Sequence, residues 1–161
     1  MMAKHGLLGD IIKRINSHPD EIHTRKGPML TTPLMEAADG NNFEVVKLFL
    51  NNHASLHLRD TQNASCVHHA AASSADSLAL MLNHTQEIQN EIHRQDLKGD
   101  TPLHWAARKG LLPCCQLLLA AGGAETLKIK NYDGQHPDEL AQVSPESNNA
   151  TREYLKQHKQ G

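Results

Sequence analysis

Short and long apolar segments alternate along the chain, and polar stretches separate one pair from the next. Two of the long segments read FEVVKLFL (43–50) and LLPCCQLLL (111–119), and each is apolar around more than half of a helical circumference. A shorter, alanine-rich segment precedes each of them, as in TPLHWAARKG (101–110). Because apolar residues recur every three or four positions, the pattern predicts pairs of helices, a short one followed by a longer one.

This two-helix unit returns at a regular interval. Its short segment starts near Pro33, Cys66, Pro102 and Pro137, at separations of 33, 36 and 35 residues. A period of about 33 residues with a TPLH motif is the signature of ankyrin repeats. The chain resembles that family over residues 26 to 141. TPLHWAARKG with QLLLAAGGA, and TPLMEAADGNNFEVVKLFLNNHA, match it closely, whereas the copies at Cys66 and Pro137 have lost part of the Thr-Pro start.

The resemblance implies an all-α fold, an ankyrin-repeat solenoid of about four helix-turn-helix repeats with hairpin loops and degenerate terminal caps. We expect one domain, residues 1–161, which suits the chain length. Within it we assign an N-terminal cap at 1–25, repeats at 26–59, 60–95 and 96–130, and a C-terminal capping repeat at 131–158. The tail after the last repeat predicts a final helix through Tyr154 and Leu155.

The ends of the short helices follow from local chemistry. Thr101 can cap the free N–H groups of the helix start, and Pro102 has the backbone angle of the first helical position. Gly110 ends the same helix, because glycine adopts the left-handed conformation without steric cost. Asn41 holds the corresponding place in the first copy, and asparagine tolerates that conformation next best.

His104 and Trp105 raise the question of a catalytic or a structural role for the TPLHW motif. The family resemblance implies that His104, and His68 at the same place in the preceding copy, bond the turn backbone and join adjacent repeats. Trp105 has two interpretations that the sequence leaves open. It is either a half-buried spacer on the short helix or an anchor for a partner, since tryptophan is enriched among interface hot spots.

The connection Asn83–Asp96 is longer than the family pattern and lacks its Gly-Ala turn. We expect an extra turn of helix there, with Ile88 and Ile92 facing the core because they are four residues apart. A second, smaller insertion lies in AAGGAETLKIKN (120–131). Insertions in repeat proteins map to loops, which are often on the binding side.

Composition removes several classes of function. The chain has 161 residues and a net charge of −2, from 16 basic and 18 acidic side chains, so it offers no electrostatic basis for binding nucleic acid or an anionic membrane. Aromatic residues make up only 3%, which indicates an aliphatic, alanine-rich core. No apolar run approaches the roughly 20 residues that span a bilayer, and the first residues do not resemble a signal peptide. We therefore expect a cytoplasmic protein.

Catalytic and metal-binding motifs are also missing from the sequence. The three cysteines, Cys66, Cys114 and Cys115, form no C-x₂-C pair, and an odd number with two adjacent is a poor disulfide framework. The sequence has no G-x-G-x-x-G, phosphate-binding loop, G-x-S-x-G or H-E-x-x-H motif. Asp138 and Glu139 are typical of the first turn of a helix. We expect reduced cysteines, no cofactor, no metal and no enzymatic activity.

The resemblance implies that the protein binds other proteins through a concave face formed by hairpin tips and inner helices. It would act as an inhibitor, adaptor or scaffold, monomeric on its own, and a rigid face of this kind loses little entropy on binding. An alternative is a small bacterial or viral ankyrin effector that acts on a host protein in the host cytosol. Carried onto this sequence, the face comprises Met29, Leu30, Glu36, Arg59, Thr61, Gln62, His69, Ser73, Leu97, Lys98, Asp100, Trp105, Arg108, Lys109, Tyr132 and Asp133.

Overall fold

The computed structural model describes residues 2–84, 86–141 and 149–160. Its helices are α1 (Met2–Ser17), α2 (Pro33–Asp39), α3 (Phe43–Asn51), α4 (Cys66–Ala71), α5 (Ala75–His84), α6 (Ile88–Ile92), α7 (Pro102–Arg108), α8 (Leu112–Gly122), α9 (Pro137–Leu140) and α10 (Ala150–Lys159). Two short 3-10 helices cover Pro19–His23 and Ala124–Lys128. Apart from one isolated bridge between Lys26 and Thr31, these residues contain no β-structure.

The helices form two stacked rows. The short helices α2, α4, α7 and α9 pack successively on one another, and we call them the inner row. The longer helices α1, α3, α5, α8 and α10 pack in the same way and form the outer row. Each inner helix also packs on the outer helix that follows it, so one core runs through the whole stack. This arrangement confirms the predicted all-α solenoid.

Leucine and alanine fill the core. Leu34, Leu50, Leu103, Leu118 and Leu155 are all buried. Alanines of the inner row line the same cluster and let neighbouring helices approach closely. The buried residues of all the repeats belong to one cluster, so no repeat has a separate core of its own. Stability therefore comes from stacking.

The starts and ends of the inner helices match the sequence prediction. The Thr101 hydroxyl accepts a hydrogen bond from the N–H of His104, and the Thr101 N–H donates to Nδ1 of His104 at 3.1 Å. Gly110 and Asn41 both have left-handed backbone, with φ of 67° and 52°. Pro102 is the first residue of α7. The predicted roles of Thr101, Pro102, Gly110 and Asn41 at the helix ends are therefore confirmed.

The long connection after α5 forms the extra helix α6. Ile88 and Ile92 are completely buried there, as expected from their spacing. Helix α6 packs between α5 and α8. A Cβ atom at Gly122, the last residue of α8, would lie only 2.7 Å from Cγ2 of Ile92. Helix α6 can therefore pack this closely against the end of α8 because residue 122 has no side chain.

Helix α6 also carries a carboxylate into the interior. Glu91 is fully buried, with Oε1 2.9 Å from Nδ1 of His57 and Oε2 2.5 Å from the guanidinium of Arg59. A buried acid stays charged only when it is paired. The pair with Arg59 fixes α6 against the segment that leads into the second hairpin. The hydrogen bond to Glu91 raises the pKa of His57, which strengthens the same contact.

Four hairpin tips line up beside the inner row, at residues 28–30, 61–63, 97–99 and 132–134. The N–H of Thr61 donates to the carbonyl of Met29, that of Leu97 to Gln62, and that of Tyr132 to Lys98, at 2.8–2.9 Å. These bonds join each tip to the one before it. The ring of Tyr132 also lies over Gly99, where an added Cβ would be 2.7 Å from its Cδ1 atom. The tips therefore form a rigid row.

Candidate protein-binding face

The exposed residues of α2 and α7 and the four hairpin tips lie on the same side of the inner row, and we call this surface the candidate face. Every residue of α4, between them, is buried. Of the sixteen predicted contact residues, eleven are exposed on the candidate face: Met29, Leu30, Glu36, Thr61, Gln62, Leu97, Lys98, Arg108, Lys109, Tyr132 and Asp133. Ser73 and Trp105 are half-buried between neighbouring elements. Three others were expected at the surface and need correction, because His69 and Asp100 are buried and Arg59 is half-buried.

Arg59 was predicted as an exposed contact, but only 16% of its side chain is accessible. Its guanidinium is directed at Glu91 of α6, because a carboxylate buried there needs a cation. Arg59 is therefore a structural partner of the insertion.

His69 lies beneath the candidate face and joins two carboxylates. Its Nδ1 is 2.9 Å from Oδ1 of Asp39, and its Nε2 is 2.9 Å from Oδ2 of Asp60. Burial lowers the pKa of His69, but the hydrogen bonds to Asp39 and Asp60 outweigh burial, so the net pKa is raised. The ring therefore links the first repeat to the second as a charged bridge.

Asp100 is buried as well, and it positions two side chains. Its Oδ2 accepts from Arg108 at 2.7 Å, and its Oδ1 accepts from the amide of Asn131 at 3.0 Å. The first bond holds Arg108 at the surface of α7, where 42% of its side chain stays accessible. Asp100 thus acts behind the face and not on it.

Trp105 has the contacts of a spacer. Its indole N–H donates to Oδ2 of Asp96 at 2.9 Å. Its ring centroid lies 5.4 Å from those of both His68 and His69, in edge-on geometry. The polar atom of the ring is thus satisfied within the fold, and the ring packs against both histidines of α4. Contact between Trp105 and a partner stays a prediction.

His68 and His104 join consecutive repeats, as the family resemblance implied. Nδ1 of His68 accepts from the Ser65 N–H at 3.2 Å, and Nε2 donates to the carbonyl of Asp100 at 3.0 Å. His104 makes the same pair of bonds with Thr101 and Gln135. Burial lowers the pKa of both rings, that of His68 to about 4. Both histidines are therefore neutral structural links.

Asp39 belongs to the candidate face but was missed at the sequence level. It is exposed on α2, six residues after Pro33, just as Arg108 lies six residues after Pro102. That shared spacing would have identified it. Lys26, exposed beside the first tip, was missed too, and it lines one cavity with Met29, Glu36 and Asp39. Lys26 is the first residue of the repeat assigned to 26–59 and lies ahead of its Thr-Pro motif, so the motif does not mark it.

Comparison with known families settles the kinship of the chain. A family model described as ankyrin repeats (3 copies) matches residues 1–91 and 34–130. The chain belongs to the ankyrin-repeat family. Ankyrin repeats form a protein-interaction fold, so a general role as a protein-interaction module follows from this membership.

Three ankyrin-repeat relatives illustrate the kinship. The chain is 28% identical over 136 residues to the human SH3 and multiple ankyrin repeat domains protein 2, a match that covers 80% of this chain and 7% of that protein. It is 35% and 38% identical over 82 residues to the mouse and human ankyrin repeat domain-containing protein 37. Those two matches cover 51% of this chain and 48% and 49% of those proteins. The chain thus spans half or less of each relative's length.

The cysteines of these ankyrin repeats are free thiols in the interior. Cys66, Cys114 and Cys115 are all buried and unpaired by disulfides. Burial raises their pKa values to about 12, 11 and 12. Thiols of this kind behave as small apolar side chains, because the reactive thiolate is not populated near neutral pH.

Two further features, a metal-binding cluster and a membrane-spanning helix, are absent from the part of the chain that the structure describes. Within residues 2–84, 86–141 and 149–160, no three His, Cys, Asp or Glu side chains are grouped so that they could hold a metal ion. Among the same residues, no helix has the length and apolar character needed to cross a bilayer.

Proposed function

We propose that this ankyrin-repeat chain binds a segment of another protein on the candidate face, as an inhibitor, adaptor or scaffold. The observation that supports this most strongly is the position of the exposed large apolar residues. Among the described residues there are six, and four of them, Met29, Leu30, Leu97 and Tyr132, lie on the hairpin tips. Exposed apolar groups gathered in one place mark interaction sites.

The rigidity of the tips adds to this argument. Backbone hydrogen bonds join each tip to its neighbour, and Asp60 Oδ1 closes the second tip by accepting from the N–H groups of Gln62 and Ala64. Asp96 and Asn131 close the next two tips in the same way. Little conformational entropy is lost when a preorganised surface binds, so more of the contact energy contributes to affinity.

The remaining two exposed apolar residues provide a matched control. Leu7 and Ile12, on α1, are 49% and 43% exposed, against 64% for Leu97 and 71% for Tyr132. We would prepare Leu97→Ser/Tyr132→Ser and Leu7→Ser/Ile12→Ser and compare both with wild type. A photo-crosslinking amino acid at Leu97 or at Leu7 would report the binding surface in cell extract.

We expect the tip variant to lose at least about tenfold in captured partner, because truncation of hot-spot residues costs about 2 kcal/mol or more. The α1 variant should retain capture, and both should unfold at the wild-type temperature. Loss of capture in the α1 variant alone, with cross-links only from Leu7, would place binding on α1 and contradict the proposal.

A further inference from the structure

Charge is distributed unevenly along the candidate face, and the two ends carry opposite signs. The exposed side of α2 carries Glu36 and Asp39. Two repeats further on, the exposed side of α7 carries Arg108 and Lys109. Asp39 and Arg108 hold equivalent positions in their repeats, Lys109 follows Arg108, and Glu36 lies about one helical turn before Asp39.

The repeat between these ends is small and uncharged at its surface. Helix α4 is followed at the equivalent positions by Ala72 and Ser73, both half-buried. The only titratable side chain of α4 that faces this way, His69, is buried between Asp39 and Asp60. A segment that crosses the face would therefore contact acidic side chains at α2, then an uncharged stretch after α4, and then basic side chains at α7.

Internal contacts leave the end charges available. Asp39 is 46% accessible although it bonds His69, and Arg108 is 42% accessible although it bonds Asp100. Glu36 accepts from the Thr31 hydroxyl and is exposed. Lys109 is exposed at the end of α7.

Hairpin charges modify the two ends without reversing them. Lys26 lies near the acidic end, where it offsets one of the two carboxylates. Lys98 and Asp133, on the third and fourth tips, offset each other near the basic end. Among the exposed side chains the net sign of each end is therefore unchanged, while beneath them the buried Asp100 pairs with Arg108 and the buried His69 pairs with Asp39.

We propose that the partner segment is extended and carries charges in the complementary order, with a basic side chain over α2 and an acidic one over α7. The inference rests on the proposed function. Two inner-row spacings amount to about 20 Å, which an extended chain covers in about six residues. That distance exceeds the Debye length of about 8 Å at physiological salt, so each end selects its own partner charge. Charges placed in this way fix orientation more than they raise affinity.

The test uses peptides, because their composition reports the chemistry of the surface directly. A random ten-residue displayed library would be selected on the full chain at physiological salt, where the two ends act separately. Enriched peptides would then be synthesised with a benzophenone beside their basic residue, and the cross-linked protein residue would be found by mass spectrometry. The key variant is Glu36→Lys/Lys109→Glu. Glu44→Lys/Lys47→Glu, on the exposed side of α3, makes the same exchange away from the face.

We expect peptides with a basic and an acidic residue about six positions apart, and cross-links near the first tip and α2. In the Glu36→Lys/Lys109→Glu variant, each end carries one acidic and one basic residue, because Asp39 and Arg108 remain. The cross-links should therefore no longer favour the first tip and α2, and affinity should fall about tenfold. The α3 exchange should change neither result.

Three outcomes would overturn the inference. In the first, the peptides need Leu97 and Tyr132, but the positions of their cross-links do not change when Glu36 and Lys109 are exchanged. Charge then does not orient the segment, and the proposed function stands. If the peptides survive Leu97→Ser/Tyr132→Ser, they bind elsewhere, and both proposals fail. If no peptide is enriched, the face does not take an extended segment, while capture of a folded partner still tests the proposed function.

Discussion

Leu30 shows how one residue of the first tip departs from its equivalents. It has left-handed backbone, with φ of 53°, at the place where the other tips have Asn63, Gly99 and Gly134. A leucine in that conformation is strained by about 1–2 kcal/mol, because its Cβ approaches the backbone too closely. It is also 42% exposed, so burial of its side chain offsets only part of that strain. Strain of this kind is typical of binding sites.

We therefore predict that Leu30→Asn stabilises the fold by about 1 kcal/mol, since asparagine tolerates the left-handed conformation. Urea denaturation measures the change. Met29→Asn is the matched control, because Met29 is equally exposed but its backbone is not left-handed. Equal effects of the two substitutions would show that backbone strain at Leu30 is not the cause.

Individual residues also show what the sequence could and could not reveal. The caps at Thr101 and Gly110 and the links through His104 were predictable, because each depends on a local motif with a fixed offset. The burial of Asp100 and Arg59 was not. Their partners, Asn131 and Glu91, lie 31 and 32 residues away, and a one-dimensional pattern does not pair side chains across repeats.

Helix α6 is the element in which local pattern and long-range contact meet. The spacing of Ile88 and Ile92 predicted that it would be helical and would face the core. Nothing in that spacing predicted Glu91 inside the protein or the need for Gly122 opposite Ile92. Both features depend on which elements of the neighbouring repeats approach α6.

We predict that Gly122→Ala destabilises the fold by about 1–3 kcal/mol, the usual effect of overpacking. Ile92→Ala should cost about 2–5 kcal/mol through the cavity that it leaves. The new methyl would meet two Cγ2 atoms at 2.7 Å, those of Ile92 and Thr126. Because Ile92→Ala removes one of them, the double variant should be less destabilised than the two effects added together. A double-mutant cycle in urea should give a coupling of about 1 kcal/mol.

Strict additivity would mean that α8 shifts away from α6 freely, and it would contradict close packing there. Gln89→Ala, on the exposed side of α6 and not among the side chains nearest to position 122, should leave the stability of Gly122→Ala unchanged and serves as the control.

At the scale of the whole molecule, histidines join the repeats and make the stack sensitive to acid. An unfolded histidine titrates near pH 6.5. The pKa of His68 in the fold is about 4, so between these values the unfolded chain takes up a proton first, and stability falls as the pH drops. The cost reaches about 3 kcal/mol below pH 4. His69 has the opposite sign, because its raised pKa gives stability that is complete below pH 6.5 and is lost as the pH rises through the folded value.

We predict that His68→Gln flattens the loss of stability between pH 6.5 and 4. His69→Gln should leave the slope in that range unchanged and should instead remove the fall in stability that wild type shows as the pH rises above 6.5. Urea unfolding at half-unit pH steps measures both profiles. Parallel profiles for wild type and His68→Gln would show that another group causes the acid response.

The contact between Gly99 and Tyr132 has an evolutionary consequence. An added Cβ atom at position 99 would lie 2.6 Å from the backbone nitrogen of Tyr132 and 2.7 Å from Cδ1 of its ring. A side chain gained there would therefore have to displace the backbone of the fourth tip as well as the ring. The equivalent pairs are Leu30 with Thr61 and Asn63 with Leu97, so along the stack the first member becomes smaller as the second becomes larger. Among descendants of this sequence, glycine should persist at position 99 as long as the fourth tip keeps its place, whereas this contact leaves the side chain at position 132 free to change. The range of proteins that the surface accepts would then change mainly through position 132.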